Sequence, residues 1–366
     1  MRKGNFLGFL GSIFISLLHP VCAESTGDVI SVSQCVYDVY VQLDDQKLRD
    51  IIIPLGISKG GYKRVDTDEL KVLLQNMPAI SKRHAGGAAA NTLAGISSLG
   101  GKTTFIGIVG NDDFGQSFLN DMQEANVEME YVVRKSPEGK GTALVILLIT
   151  PDGERTIISY LGVSIPVEQS VVNSQSIKNH QILFSDAYVW DRNITSQMLH
   201  TTYADARKNG IVTSFGLGNA SVVRMHREQL LDFMPSVDII LGNLSEYQAL
   251  FDAESIETII QNLQRTAKTA IVTNAEHGAL IITPEVVLHT SAKSVKQVVD
   301  TTGAGDMFAA GFLYGITRGY DLEKCGELGG EMAGHIITQV GARVTELSPE
   351  IKSLIQDESE SHEEKT

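Results

Sequence analysis

The 366-residue sequence predicts an α/β fold: a doubly wound, mostly parallel sheet with helices on both faces, plus a small β-lid. Three observations predict it. From Gln181 to Leu241, apolar strand-like segments (181–185, 211–215, 237–241) alternate with longer helical ones (194–208, 222–233), the pattern of a parallel sheet covered on both sides. A hydrophobic fraction of 43% with 20% charged residues supplies an ordinary core for such a fold. Two stretches, near 38–66 and 128–160, break the alternation with polar turns and short alternating segments, and read as the lid. No internal repeat or long linker divides the chain. One domain is therefore expected over about residues 28–352, between an N-terminal extension, 1–27, and an acidic, disordered tail, 353–366.

Composition excludes several roles. A formal charge of −14 argues against nucleic acid or an anionic membrane as partner, since both need basic patches. Cys22, Cys35 and Cys325 show neither metal-ligand spacing nor a disulfide framework. Cys35 and Cys325 lie in apolar segments and read as buried free thiols, which suits a reducing compartment. The N-terminus points elsewhere: Arg2 and Lys3 precede an apolar run, Phe6–Leu18, and the small-residue pattern Val21-Cys22-Ala23, as in a secretory signal peptide. The run is short for a membrane span. The other reading is a start placed too far upstream. No Met occurs between Met1 and Met77, so a later start would need a non-AUG codon.

The domain opens with a strand from Val29 to Ser33, continuing to Asp38 and Tyr40. Residues 40–65 are polar, with Lys59-Gly60-Gly61-Tyr62 as a turn, and contribute to the lid. Thr67–Met77 is a helix with Thr67 as its N-cap. Next, Ala85-Gly86-Gly87-Ala88-Ala89-Ala90-Asn91-Thr92 sets two glycines at a helix start, where backbone can approach a ligand closely. Asn91 adds a two-sided amide, although close packing alone also explains such a run. Gly100-Gly101-Lys102-Thr103 imitates the end of a P-loop, but Ile96 stands at the first glycine and the run joins a helix to a strand. It is not a phosphate site.

Thr103–Val109 is a strand and residues 111–125 a helix. Strands follow at 128–134, 141–150 and 157–161, the first expected to return to the lid. Arg155, in the intervening turn, reads as a solvated hairpin arginine, with a phosphate contact as the alternative. Gly216-Leu217-Gly218 lacks the third glycine of a dinucleotide fingerprint, Ser221 standing there, and reads as a loop. Asn243-Leu244-Ser245-Glu246 leaves a strand and enters a helix. Its amide and carboxylate can reach a hydrated Mg²⁺, or form a capped helix start with Glu at the third position. Strands at 270–273 and up to Ile282 flank the turn 274–278, and Leu322–Gln339 is a late helix.

The chain is organised around Val299-Asp300-Thr301-Thr302-Gly303-Ala304-Gly305-Asp306 and the small-residue helix that follows, Met307–Gly315. The first N–H groups of a helix lack internal partners and carry partial positive charge. With Gly303, Ala304 and Gly305 almost without side chain, an anion can reach them. Asp306 then sits beside that anion, placed to take a proton from an attacking hydroxyl. Phosphoryl transfer needs such a cradle and such a base. An acidic residue in a helix's first turn is also common without any chemistry.

These residues and the Ala85–Thr92 run resemble the two signatures of the PfkB/ribokinase family of carbohydrate and nucleoside kinases, over nearly all of residues 28–352. The resemblance implies a ribokinase-like fold, ATP and Mg²⁺ as cofactors, and a small-molecule nucleoside or sugar as partner, in a monomer or homodimer without stable membrane attachment. It makes Asp306 the catalytic base and Gly303, Ala304 and Gly305 the anion hole. It places Asp38, Gly86, Gly87 and Asn91 on the substrate, Asp38 accepting from two hydroxyls. Gln34 joins them: the family's usual Gly-Asn pair is Ser33-Gln34 here, which leaves substrate identity open, and Leu93 replaces a small residue. Thr273, Gly278, Thr302, Gly303 and Gly305 fall along the nucleotide, with Gly341-Ala342 closing its adenine side. Asn243 and Glu246 place Mg²⁺ through water, and Asp300 with Thr302 is a candidate site for a monovalent cation such as K⁺.

Together with Tyr188-Val189-Trp190-Asp191, the wording is similar to bacterial adenosine kinase-like members. That implies γ-phosphoryl transfer from ATP to the 5′-OH of adenosine, giving AMP. A ribose or fructose kinase is the alternative, and an exported, non-catalytic nucleoside-binding protein a more distant one. Consumption of ATP favours the cytoplasm, with export the minority reading.

Overall fold

The computed structural model describes residues 25–136, 138–191 and 193–356. The signal-like segment up to Ala23 and residues 357–366 of the expected tail lie outside the described residues. The chain begins with β1 (Gly27–Val32), β2 (Val36–Gln42), α1 (Asp45–Ile52), β3 (Tyr62–Arg64), α2 (Thr67–Asn76), β4 (Lys82–Gly86), α3 (Ala88–Ser98), β5 (Thr103–Gly110), α4 (Asp113–Glu124) and β6 (Val127–Arg134). It continues with β7 (Ala143–Ile149), β8 (Arg155–Tyr160), α5 (Ser174–Lys178), β9 (His180–Asp186), α6 (Asn193–Lys208), β10 (Val212–Gly216), α7 (Ala220–Met225), α8 (Arg227–Phe233), β11 (Ile239–Asn243) and α9 (Leu244–Phe251). The last part is α10 (Ile256–Thr266), β12 (Thr269–Thr273), β13 (Ala279–Ile282), β14 (Val287–Thr290), α11 (Ala304–Thr317), α12 (Leu322–Ile336) and α13 (Pro349–Gln356).

Two sheets result. The larger has nine strands in the order β14-β13-β12-β11-β10-β9-β1-β5-β6, parallel from β6 to β12 and antiparallel beyond. Its strands are apolar on both sides because both faces are covered. One core, with Leu93, Phe105, Met307, Phe312 and Leu328, lies beneath α3, α4, α11 and α12. The other, on the opposite face, includes an aromatic group in which Trp190 packs on Phe215 (5.6 Å between ring centroids) and Phe233 (4.8 Å). From β1 the chain first builds outward through β5 and β6, then reverses to β9 on the other side. The strand ends at β1 and β9 therefore form the switch point where open α/β sheets bind ligands.

The smaller sheet, β3-β8-β7-β2-β4, is the lid. Here the expected elements shift. The opening strand is two: the chain leaves β1 at Val32, passes through Ser33-Gln34-Cys35 and re-enters the lid as β2, so Asp38 and Tyr40 belong to the lid. Strand 127–134 pairs with β5 as an edge of the large sheet and not with the lid. Its place is taken by β4, which pairs with β2. The polar stretch 40–65 also holds α1, started by the Asp44 carboxylate on the Lys47 N–H. The N-cap of α2 is Asp66, not Thr67: Asp66 accepts from the Asp68 and Glu69 N–H groups while Glu69 reaches back, a complete capping box. The helix expected over 222–233 breaks at His226 into α7 and α8, and α12 stops at Ile336. A final helix runs to Gln356 with Ile351 buried, past the expected boundary at 352. Cys35 and Cys325 are buried free thiols.

Candidate active site

Three segments meet at the switch point. The first is the start of α11. Gly303 is its N-cap at φ +79°, a conformation that strains any side chain, and a Cβ there would lie 2.5 Å from Ala342 Cβ. Helical geometry begins at Ala304, so the Gly303, Gly305 and Asp306 N–H groups make no hydrogen bond among the described residues, while Ala304 N–H donates weakly to Thr301 O at 3.3 Å. Gly305 has nothing within 4 Å of where a Cβ would stand. Small residues hold this helix low. A Cβ at Gly311 would meet Leu328 O at 2.6 Å, and one at Gly95 of α3 would meet Ala310 Cβ at 2.6 Å. α11 thus packs tightly against α12 and α3, and its first turn is fixed rather than frayed.

Asp306 faces into this turn beside α3. Asn91 Nδ2 donates to its Oδ2 at 2.9 Å and Thr92 Oγ1 donates to its backbone carbonyl at 3.3 Å. Burial pushes the Asp306 carboxyl up to about 7; the Asn91 bond opposes this, Asp186 adds to it and Arg343 subtracts. A base poised near neutral pH is suited to general-base work.

The second segment is α3 and its approach. Gly86 is the last residue of β4, and a Cβ there would fall 2.2 Å from the Asp38 carboxylate. Gly87, at φ +91°, turns the chain from lid to helix as its N-cap. Asp38 accepts no hydrogen bond among the described residues, and burial, with Asp306 adding to it, raises its carboxyl to about 7 despite Arg343. Gln34 Oε1 is likewise buried without a partner. Gln34, Asp38, Gly86, Gly87, Asn91 and Asp306 are thus brought to one cleft.

The third segment is Asp300–Thr302. Asp300 Oδ1 accepts from Thr302 N (3.0 Å) and Thr302 Oγ1 (2.7 Å), and Oδ2 from Gly341 N (3.1 Å). Arg155, at the start of β8, donates to Asp300 Oδ1 at 3.2 Å and to Thr302 Oγ1 at 3.1 Å. Burial alone would raise Asp300, but these hydrogen bonds and the guanidinium bring it down to about 2. Arg155, 41% exposed at the hairpin, is thus anchored as well as solvated. It ties the lid to the Asp300–Thr302 loop and sets its positive charge beside the Asp300 carboxylate.

Asn243 and Glu246 form a complete capping box at α9: Asn243 Oδ1 accepts from Glu246 N, and Glu246 accepts from Asn243 N and Nδ2. Glu246 is only 5% exposed, and burial, with Asp306 adding to it, lifts it to about 7. Among the described residues no cluster of three or more His, Cys, Asp or Glu is arranged to hold a metal ion. The pair still fits a hydrated Mg²⁺. Each Glu246 oxygen makes one hydrogen bond and keeps a lone pair, and a buried carboxylate near Asp306 lacks compensating charge. Thr273 ends β12 opposite Asn243. Gly278 turns into β13 at φ +80° against Thr290 O, so its glycine is required by the turn itself.

Two residues were missed by the sequence reading. Asp186, closing β9, is 2% exposed and accepts from Ser33 Oγ (3.1 Å), Ala89 N (3.2 Å) and Tyr188 N (3.0 Å). It joins the linker, α3 and the loop after β9, and burial raises it to about 6. Arg343 donates to Ala85 O at 2.8 Å and to Asn91 Oδ1 at 3.4 Å, closing the free edge of β4. The Asp186 strand-end pattern and an arginine after Gly341-Ala342 carried no local signal.

A doubly wound sheet with unpaired helix N–H groups beside a buried carboxylate at its switch point has the parts that a phosphotransferase needs. The sequence profile of the pfkB family carbohydrate kinases matches residues 67–349, and the chain belongs to that family. It is an ATP-dependent phosphotransferase acting on a sugar or nucleoside. The chain is 29% identical to the crystal structure of adenosine kinase from Sinorhizobium meliloti, with a TM-score of 0.78 over 92% of this chain and 100% of that one. It is 30% identical to that of a probable sugar kinase from Rhizobium etli, with a TM-score of 0.79 over 92% and 99%. Adenosine kinase of Saccharomyces cerevisiae is 29% identical over 81% of this chain and 88% of its own. Kinases of this family use ATP with Mg²⁺. No helix among the described residues is long and apolar enough to cross a membrane.

Proposed function

We propose that the protein transfers the γ-phosphoryl group of ATP to a primary hydroxyl of a nucleoside, the 5′-OH of adenosine, giving AMP and ADP. The observation that carries this is Asp306: a buried carboxylate at about 7, held by Asn91, beside the unpaired Gly303, Gly305 and Asp306 N–H groups. Asp306 takes the proton of the acceptor hydroxyl as its oxygen bonds to the γ-phosphorus and the bond to the ADP oxygen breaks. The N–H groups hold the transferring phosphoryl, whose charge spreads over its oxygens. Asp38 and Gln34, acceptors without donors, take hydroxyls of the substrate, and Gly86 and Gly87 let backbone lie against its ring. Thr273, Gly278 and Thr302 line the nucleotide. Asn243 and Glu246 would hold Mg²⁺ through water, and the chemistry it would supply there is neutralisation of charge on the ATP phosphates.

Similarity to two adenosine kinases over most of both chains supports the nucleoside. Ser33-Gln34 in the linker leaves the substrate open, and similarity to a probable sugar kinase favours a second reading, a kinase of free ribose or fructose. ADP release with Mg-ATP and a panel of adenosine, other nucleosides, ribose and fructose separates the two. Turnover with adenosine and not with free sugars is expected, and preference for a free sugar would reject the nucleoside.

A further inference from the structure

The lid carries one more acceptor with nothing to accept. In the antiparallel β2–β4 pair, His84 stands directly opposite Asp38, so the two side chains leave the sheet on the same face. Tyr40 and Lys82, two residues along in register, form the next pair on that face: the His84 ring lies 5.2 Å from the Tyr40 ring, and Lys82 Nζ sits 5.9 Å from the same ring. His84 Nδ1 is 3.1 Å from Ala85 O, and since a carbonyl only accepts, the proton is on Nδ1. Nε2 is therefore a bare lone pair. It is buried and has no partner, as is Gln34 Oε1, while Asp38 beside it also accepts nothing.

Burial lowers the ring's pKa, with Arg343 and Lys82 acting in the same direction against the Ala85 bond and Asp121, so the imidazole stays neutral and keeps that lone pair at pH 7. An unmet buried acceptor is unfavourable, and the penalty is relieved when a donor arrives. A carboxylate, an amide oxygen and an imidazole nitrogen without donors suit a ligand rich in hydroxyl groups and offer nothing to a phosphate.

We propose that His84 Nε2 accepts a hydrogen bond from a ring hydroxyl of the substrate next to those taken by Asp38, which makes His84 a specificity residue for the sugar moiety. This rests on the reading of Asp38 as the substrate-hydroxyl acceptor. The Tyr40 contact fixes the ring plane, and the Ala85 bond fixes the tautomer.

The test compares wild type with His84→Phe, which keeps the ring against Tyr40 but removes the acceptor, and His84→Gln, which restores one. The substrates are adenosine, 2′-deoxyadenosine, 3′-deoxyadenosine and purine riboside, which lacks the exocyclic amine. For His84→Phe, KM for adenosine should rise about tenfold, with kcat and the KM for ATP nearly unchanged. One of the two deoxynucleosides should lose that sensitivity, purine riboside should retain it, and His84→Gln should recover part of the loss. Calorimetric binding of adenosine without ATP should show the same rise in Kd. Unchanged KM, an equal loss on all four substrates, or insensitivity confined to purine riboside would overturn the proposal. Should His84→Phe fail to fold, wild type against His84→Gln on the same substrates decides between these outcomes. A wild type that phosphorylates fructose but not adenosine rejects the nucleoside, and the proposal is then decided on fructose, where an unchanged KM in His84→Phe overturns it. A wild type inert on every substrate rejects the reading beneath it.

Discussion

Asp306 holds its proton up to about 7 because burial and the nearby Asp186 charge disfavour ionisation. As a base it must be ionised, so kcat/KM should fall as pH drops through about 7. Asp186→Asn removes a neighbouring negative charge and should move that acid limb to lower pH; a limb that stays put would deny the coupling. Asp306→Asn should lower kcat by roughly 10²–10⁴-fold while calorimetry still detects adenosine. Near-normal turnover would assign the base elsewhere. At this scale much was legible, since Asp306, Asn91, Gly86 and Gly303 stand in contiguous runs whose chemistry is local. Asp186 and Arg343 act through partners up to 153 and 258 residues away, Ser33 and Ala85, and no local pattern announces such contacts.

The elements divide similarly. Strand–helix alternation from β9 to β11 followed from buried apolar runs with amphipathic helices between them. The lid did not, because β2 continues the β1 pattern almost without a break and only the pairing shows that Ser33–Cys35 crosses between sheets. β4, Lys82–Gly86, opens with two charged residues, and α1 is hidden in a polar stretch. β6 alternates as a lid strand would, yet it is an edge of the large sheet with Tyr131, Val132 and Val133 exposed. The start of α11 offers a sharper test. A methyl at Gly305 meets nothing in the ligand-free chain, so Gly305→Ala should leave Tm unchanged or slightly raised. It should nevertheless depress kcat, because the phosphoryl group needs that space. Gly303→Ala, with its positive φ and the Ala342 contact, should lower both Tm and kcat. Equal turnover in wild type and Gly305→Ala would mean the anion binds elsewhere.

Across the whole molecule, burial places four carboxylates in one cleft with raised pKa values: Asp38, Glu246 and Asp306 near 7 and Asp186 near 6. Unfolded carboxylates titrate near 4. From pH 6.5 to 8 the folded chain therefore holds protons that the unfolded chain has released, and stability should fall as pH rises. His84 and His180, lowered by burial, act the other way, chiefly below about pH 6.5. Calorimetry of the ligand-free protein should give a lower Tm at pH 8 than at pH 6.5; the reverse order would mean these carboxylates are ionised throughout. The site is thus assembled at a cost in stability, and its ligands should repay part of it by bringing cations and donors to the cleft.

The single tryptophan, Trp190, lies with Phe215 and Phe233 on the side of the large sheet away from the lid, its indole N–H donating to Gln229. Its emission is consequently a built-in gauge of one half of the molecule. Melting of the sheet will redden it, whereas motion of the lid over a sugar will leave its colour untouched.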